Sequence, residues 1–149
     1  MNRLASAAII IIVFVASLRL FEVVWHRPAF ADIVRQPGQW VGAVIIVIGS
    51  AIIHELLHGL AWKTLARVPW RSISFRPSWR KLGFVAAADL PMRASAYRTG
   101  MLLPALVLGF GSIVAGLMIG NGLVLLWGLF FLLECFADFA ALLATREVG

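Results

Sequence analysis

The chain has 149 residues, 62% of them hydrophobic and 13% charged, and a formal net charge of +6. Soluble domains carry about 25% charged residues, so this composition excludes an ordinary water-soluble globule and reads as one integral-membrane domain spanning residues 1–149. The basic excess does not point to nucleic acid: eight of the thirteen Lys and Arg residues lie between Lys63 and Arg98, separating two apolar runs, which is the pattern of a cytoplasmic loop.

The first apolar run, residues 4–21, follows Arg3 and is long enough to cross a bilayer. Val15-Ala16-Ser17 offers small residues of the kind found at a signal-peptide cleavage site, but we expect the run to be retained as the first span. From Glu22 to Gln39 the chain turns polar, with Arg27-Pro28, Asp32 and a closing Pro37-Gly38, and its aromatic residues suit a membrane surface. His26 has no neighbour in sequence to work with and reads as a solvated loop residue.

The second span covers residues 39–64, with Trp40 and Trp62 placed as interfacial anchors at its two ends. Val41 to Ile53 carry no charge, and then His54, Glu55 and His58 follow within the same apolar run. Histidines at i and i+4 stack on one helix face, the spacing that a single zinc ion needs, with Glu55 beside them as a base. A chain of this composition is expected to hold about 0.002 such His-Glu-x-x-His strings by chance. The competing reading makes both histidines helix-packing groups that hydrogen-bond to a neighbouring span.

Between Val68 and Pro91 the pattern becomes extended. Arg71 to Arg76 alternates apolar Ile73 and Phe75 with polar neighbours, and Leu82 to Ala88 follows a Pro77-Ser78 turn, so a short cytoplasmic β-hairpin is expected. It is either a connector or an edge to which an extended substrate pairs. The third span, residues 99–119, is introduced by Tyr97-Arg98 and holds Pro104 in its first turns. Gly109, Gly111, Gly116 and Gly120 suit close helix packing. Gly120-Asn121-Gly122 is a short uncharged turn, and residues 123–144 form the fourth span, closed by Arg146. Cys135, the one cysteine, has no disulfide partner and reads as a small apolar packing residue.

The expected fold is therefore all-α, with four transmembrane helices, a hairpin between the second and third, and both termini cytoplasmic. Catalytic zinc takes three protein ligands and a water, so one is missing. Spans two and four run in the same direction, and helical rise puts His58 and Asp138 at similar depth. Glu134 and Asp138 are both acids in an apolar span, where an unpaired carboxylate is costly. Asp138 is the preferred third ligand; Glu134, one turn away, is the alternative, as a ligand or as a hydrogen-bond partner of a ligating histidine.

His54-Glu-Leu-Leu-His-Gly59, Leu90-Pro91-Met92, Tyr97-Arg98, Leu103-Pro104 with Leu108-Gly109, and an aspartate in the last span resemble a small family of membrane zincin peptidases. More remotely, the chain is similar to the site-2 proteases. The resemblance implies zinc (Zn2+) held by His54, His58 and Asp138, with Glu55 as the catalytic carboxylate. Site-2 proteases carry their aspartate as Leu-Asp-Gly, whereas here it is Ala137-Asp138-Phe139. The expected activity is hydrolysis of membrane-associated proteins or peptides in a bacterial or archaeal plasma membrane. The alternative is a metal-binding scaffold without chemistry, against which Glu55 argues because a pure binding site gains little from it. Tyr97 and Arg98 are candidates for stabilising an oxyanion. Oligomeric state is open.

Overall fold

The structure, a computed structural model, describes residues 3–35, 39–78 and 83–144. Pro37-Gly38, Arg80, Lys81 and Arg146 lie outside them, as does the side chain of Trp40. The chain is mostly helical, and four of its helical stretches are long and apolar enough to cross a membrane, at Ala7–Trp25, Val44–Leu65, Ala94–Ile119 and Gly122–Leu142.

Helix α1 (Arg3–Trp25) runs one turn beyond the expected end. Its first polar pair, Arg19 and Glu22, is compatible with a helix because i and i+3 side chains meet, here at 3.1 Å. The helix stops only at His26, whose φ of 51 is left-handed, just before Arg27-Pro28. A short α2 (Ala31–Arg35) then leads toward α3 (Gln39–Leu65). Helix α3 ends in the same way: Arg67 has φ 55, and the Val68 N–H folds back onto the Trp62 carbonyl at 3.3 Å.

A single turn at Trp70–Ser72 feeds the hairpin of β1 (Ile73–Ser78) and β2 (Gly83–Ala88). Pro77 lies within β1 opposite Phe84, not in the turn as expected. The Asp89 N–H donates to the Ser72 carbonyl, so every second pair from there carries the ladder bonds and the Pro77–Phe84 pair carries none. Proline is tolerated at such a position because no N–H is required there.

The third span is α4 (Ala94–Pro104), a π-helical turn at Ala105–Phe110, and α5 (Gly111–Ile119). It begins five residues earlier than expected, which moves Pro104 from the first turns to the interior, where it removes a backbone donor. The wide turn that follows is where the helix absorbs this defect. Gly120, at φ 67, ends α5, and the Asn121 side chain caps α6 (Gly122–Glu134) by accepting from the N–H groups of Leu123 and Val124. Cys135 interrupts the fourth span before α7 (Phe136–Ala144).

Close crossing of α5 and α6 depends on missing side chains. A methyl group at Gly116 would lie 2.5 Å from the Leu125 backbone nitrogen, and one at Gly128 would lie 2.6 Å from the Gly109 carbonyl oxygen. Gly111, by contrast, is exposed and meets only its own helix. Phe21, Ala29, Ile113, Leu125 and Leu129 form the core at the end of the bundle bearing the α5–α6 turn. Trp62, Ala86 and Met101 form a second core at the hairpin end.

Candidate metal centre

Helix α3 presents His54, Glu55 and His58 to the interior, all buried in a chain whose buried side chains, among the described residues, are mostly apolar. Histidines four residues apart share one face, and their Nε2 atoms are 3.1 Å apart. Asp138, from α7, joins them: its Oδ2 stands 3.0 Å from His54 Nε2 and 3.5 Å from His58 Nε2. The fourth span supplies it through the interruption at Cys135, after which the Asp138 N–H bonds to the Cys135 carbonyl.

Hydrogen-bond accounting shows what this triangle lacks. His58 Nδ1 lies 2.9 Å from the Gly100 carbonyl oxygen, which can only accept. In the neutral ring that nitrogen carries the proton, so His58 Nε2 presents its lone pair to the cluster. His54 has at most one proton to share, and Asp138 as a carboxylate has none. With both rings neutral, these three atoms therefore converge with at most one proton among them, so that at least two of them are acceptors, an arrangement that a cation stabilises. Tetrahedral zinc, with bonds of about 2.0–2.1 Å, holds its ligand atoms about 3.3–3.4 Å apart. The three observed separations fit that triangle.

A second grouping is also close: His54, Cys135 and Asp138 can each bring a ligand atom within 4.8 Å of one another. The geometry favours the histidine pair. The Cys135 thiol stands 3.9 Å from His54 Nδ1, the ring nitrogen opposite the one that meets His58 and Asp138. Cys135 is thus a partner that orients the His54 ring, in the way acceptors behind metal-binding imidazoles do. Nothing in its sequence context marked it beyond the i, i+3 spacing to Asp138.

Gly100 and Trp62 were likewise missed. Trp62, expected as an interfacial anchor, is buried, with its indole stacked on His58 at 5.8 Å and on Tyr97 at 5.9 Å. A methyl group at Gly100 would meet Trp62 Nε1 at 2.5 Å, so α3 and α4 approach this closely only across glycine. The i, i+4 spacing of His58 and Trp62 could have signalled the stack, and Pro104, which has no N–H to offer the carbonyl four residues back, could have signalled that the Gly100 carbonyl is open to another donor. The Tyr97 ring is separated from His58 by the indole. Glu134 is exposed and outside the cluster.

Glu55 points toward the hairpin. Its Oε2 accepts from the Ala86 N–H at 2.6 Å. Ala86 lies opposite Phe75, one position from a ladder-bonded pair, so its N–H faces away from β1. The outer edge of β2, one expected docking edge for substrate, is therefore engaged by Glu55 at this position. A methyl group at Gly59 would stand 3.1–3.3 Å from Phe75, Trp70 and Ile73, and so glycine here lets the hairpin lie against α3.

A family model described as "Putative zincin peptidase" matches residues 47–148. The chain belongs to that family. The zincin match takes in α3 from Val47 onward, the hairpin and both later spans, hence every residue of the cluster. Searches of curated proteins and of solved structures return no match.

Proposed function

We propose that the protein is a membrane-embedded zinc metallopeptidase acting on membrane-associated polypeptides. The observation that carries this reading is the triangle of His54 Nε2, His58 Nε2 and Asp138 Oδ2, with edges of 3.0–3.5 Å. Zinc bound there supplies a Lewis acid that acidifies water and polarises a carbonyl. The protein's own groups do the rest. Gly100 and Cys135 hold the two imidazole rings with their Nε2 atoms turned inward. Glu55, next to His54 on the same helix, accepts a proton from the attacking water and passes it to the departing amine.

The Ala86 N–H fixes one Glu55 oxygen, so the hairpin positions the base as well as covering it. A helical substrate hides its carbonyls in its own hydrogen bonds and has to be extended before cleavage, for which the adjacent β2 edge is suited. The concentration of basic residues between the second and third spans puts the hairpin, the cluster and both termini toward the cytoplasm.

The test is Glu55→Gln in purified protein. Bound zinc should remain at one per chain while cleavage of a membrane-peptide library falls by about 10²–10⁴-fold. Loss of zinc in this variant, or unchanged cleavage, would remove Glu55 from the role of base. Wild-type protein that is folded and binds no metal would sink the peptidase reading.

A further inference from the structure

The hairpin has two faces, because side chains alternate along each strand and residues paired across the ladder share a side. Ile73, Phe75 and Pro77 of β1 lie opposite Ala88, Ala86 and Phe84 of β2 and form one face; Ser74 and Arg76, opposite Ala87 and Val85, form the other. The first face is divided. Near its base Ile73 and Ala86 are buried, Ile73 against Gly59 of α3 and Ala86 in the core with Trp62 and Met101. Toward its tip Phe75, Pro77 and Phe84 are exposed. One apolar surface therefore runs on past the helices that it packs against.

The level of this overhang along α3 decides what meets it. Gly59 lies six residues before Leu65, the last residue of α3, which is about 9 Å along the axis. The apolar stretch Val44–Leu65 is about 33 Å long, against a hydrocarbon core of about 30 Å. Gly59, and the Phe75 ring beside it, thus stand at or just inside the boundary where acyl chains give way to headgroups. Leu56 and Leu60, which flank Gly59 on the helix, are exposed at the same level.

Charge decides which lipid fits. Eight basic residues and one acid, Asp89, fall between Lys63 and Arg98, a surplus of seven in a chain whose net charge is +6. Lys63, Arg67, Arg71, Arg76 and Arg93 are all exposed. Arg76 meets Asp89 at 3.3 Å, but an exposed pair of this kind is weak. The Lys63 ammonium lies 5.2 Å over the ring of Trp70, which is exposed beside Gly59. An aromatic ring at the interface with cations around it suits the headgroup level of an anionic membrane. A soluble acidic protein would match the cations but not apolar side chains at hydrocarbon level.

We propose that the hairpin is a docking site for anionic phospholipid. Phe75, Pro77 and Phe84 enter the acyl-chain boundary, Arg76 stands on the opposite, headgroup side, and Lys63 and Arg71 join it in binding phosphate. The Ala86 N–H of the same hairpin holds Glu55, so lipid that keeps the hairpin against α3 also steadies that carboxylate. Docking of this kind goes beyond the peptidase reading and stands without it.

The experiment uses the full-length protein in phosphatidylcholine vesicles, with a fluorescent dye attached through Ser78→Cys; Cys135 is buried and stays unlabelled. Trace lipid with a nitroxide high on its acyl chain, either phosphatidylglycerol or phosphatidylcholine, quenches the dye where it adjoins the hairpin. The phosphatidylglycerol probe should quench about five-fold more strongly, the scale of one charge at a membrane surface, and the gap should narrow as salt is raised. Arg71→Gln with Arg76→Gln should bring the gap below about two-fold, whereas Arg71→Lys with Arg76→Lys should keep it. Phe75→Ser with Phe84→Ser should weaken quenching by both lipids. Equal quenching by the two lipids, a gap that survives the glutamine pair, or quenching unchanged by the serine pair overturns the assignment. So does energy transfer between copies labelled at the same position, which would give the face to self-association. No readout involves zinc or cleavage, so failure here leaves the peptidase reading standing, and failure of that reading leaves the lipid site standing.

Discussion

Two clusters of polar groups sit inside this apolar bundle, one at each end, and they are built on opposite principles. At the α5–α6 turn, Arg27 pairs with Asp32, donates to the Gly120 carbonyl at 2.7 Å and lies 5.5 Å over the Phe21 ring. Asp32 in turn accepts from the Gly122 N–H at 2.7 Å, and Trp25 Nε1 donates to the Leu117 carbonyl at 2.9 Å. Each of these donors meets an acceptor, and the guanidinium and carboxylate charges cancel. At the hairpin end, His54, His58 and Asp138 bring acceptors together without enough protons. The first cluster ties α1 and α2 to the turn; the second calls for a cation. Polar burial therefore marks chemistry here only where the hydrogen-bond inventory fails to close.

The contrast is broken most severely at the triangle itself. His58→Ala or Asp138→Ala should reduce bound zinc, measured by elemental analysis of purified protein, from one per chain to background, while Glu134→Ala leaves it in place. Zinc lost with Glu134 and kept without Asp138 would relocate the centre.

Next in size are the groups behind the histidines. Gly100→Ala forces the Trp62 indole to move and with it the ring stacked on His58, so zinc affinity should fall by about 10–100-fold, the usual cost of disturbing partners behind metal ligands. Adding Trp62→Leu makes room for the methyl group and should recover part of the loss. A Gly100→Ala variant with unchanged affinity, followed by metal competition with a chelator, would show that this contact does not position His58.

Ala86→Pro is a more selective probe. It removes the donor to Glu55 and, because that N–H faces away from β1, leaves the hairpin ladder intact. Cleavage should fall about ten-fold, the lower end of the roughly 1.5–3 kcal/mol that a hydrogen bond to a charged group contributes, with zinc retained. The smallest effect belongs to the satisfied cluster: Asp32→Ala should cost about 1–2 kcal/mol of stability, discounted for its partial exposure. Thermal unfolding in detergent would detect that loss, and zinc content should be unaffected. If Asp32→Ala emptied the metal site, the two ends would be coupled and the contrast between them would be wrong.

Much of this architecture is legible in one dimension. Spans follow from hydropathy and length because a bilayer demands about 20 apolar residues. The hairpin follows from alternation at Ile73 and Phe75, and the close helix crossing from glycines such as Gly116. Helix ends were less legible: α1 continues to Trp25 because an i, i+3 ion pair keeps Arg19 and Glu22 compatible with the helix, and α4 begins at Ala94 without any strong starting signal.

By itself the sequence determined the local pattern: His54, Glu55 and His58 share one helix, with the two histidines on one face, because 3.6 residues per turn is a property of the backbone, indifferent to what surrounds it. It also narrowed the third partner to two acids one turn apart. Choosing between them required the rotation of the fourth span about its own axis, set by packing of α6 against α5 and by the interruption at Cys135. That rotation turns Asp138 onto the histidines and leaves Glu134 exposed. The carbonyl of Gly100, the N–H of Ala86 and the thiol beside His54 belong to the same category. Each acts through where tertiary contacts put it, and helical periodicity within one span carries no information about the distance to another.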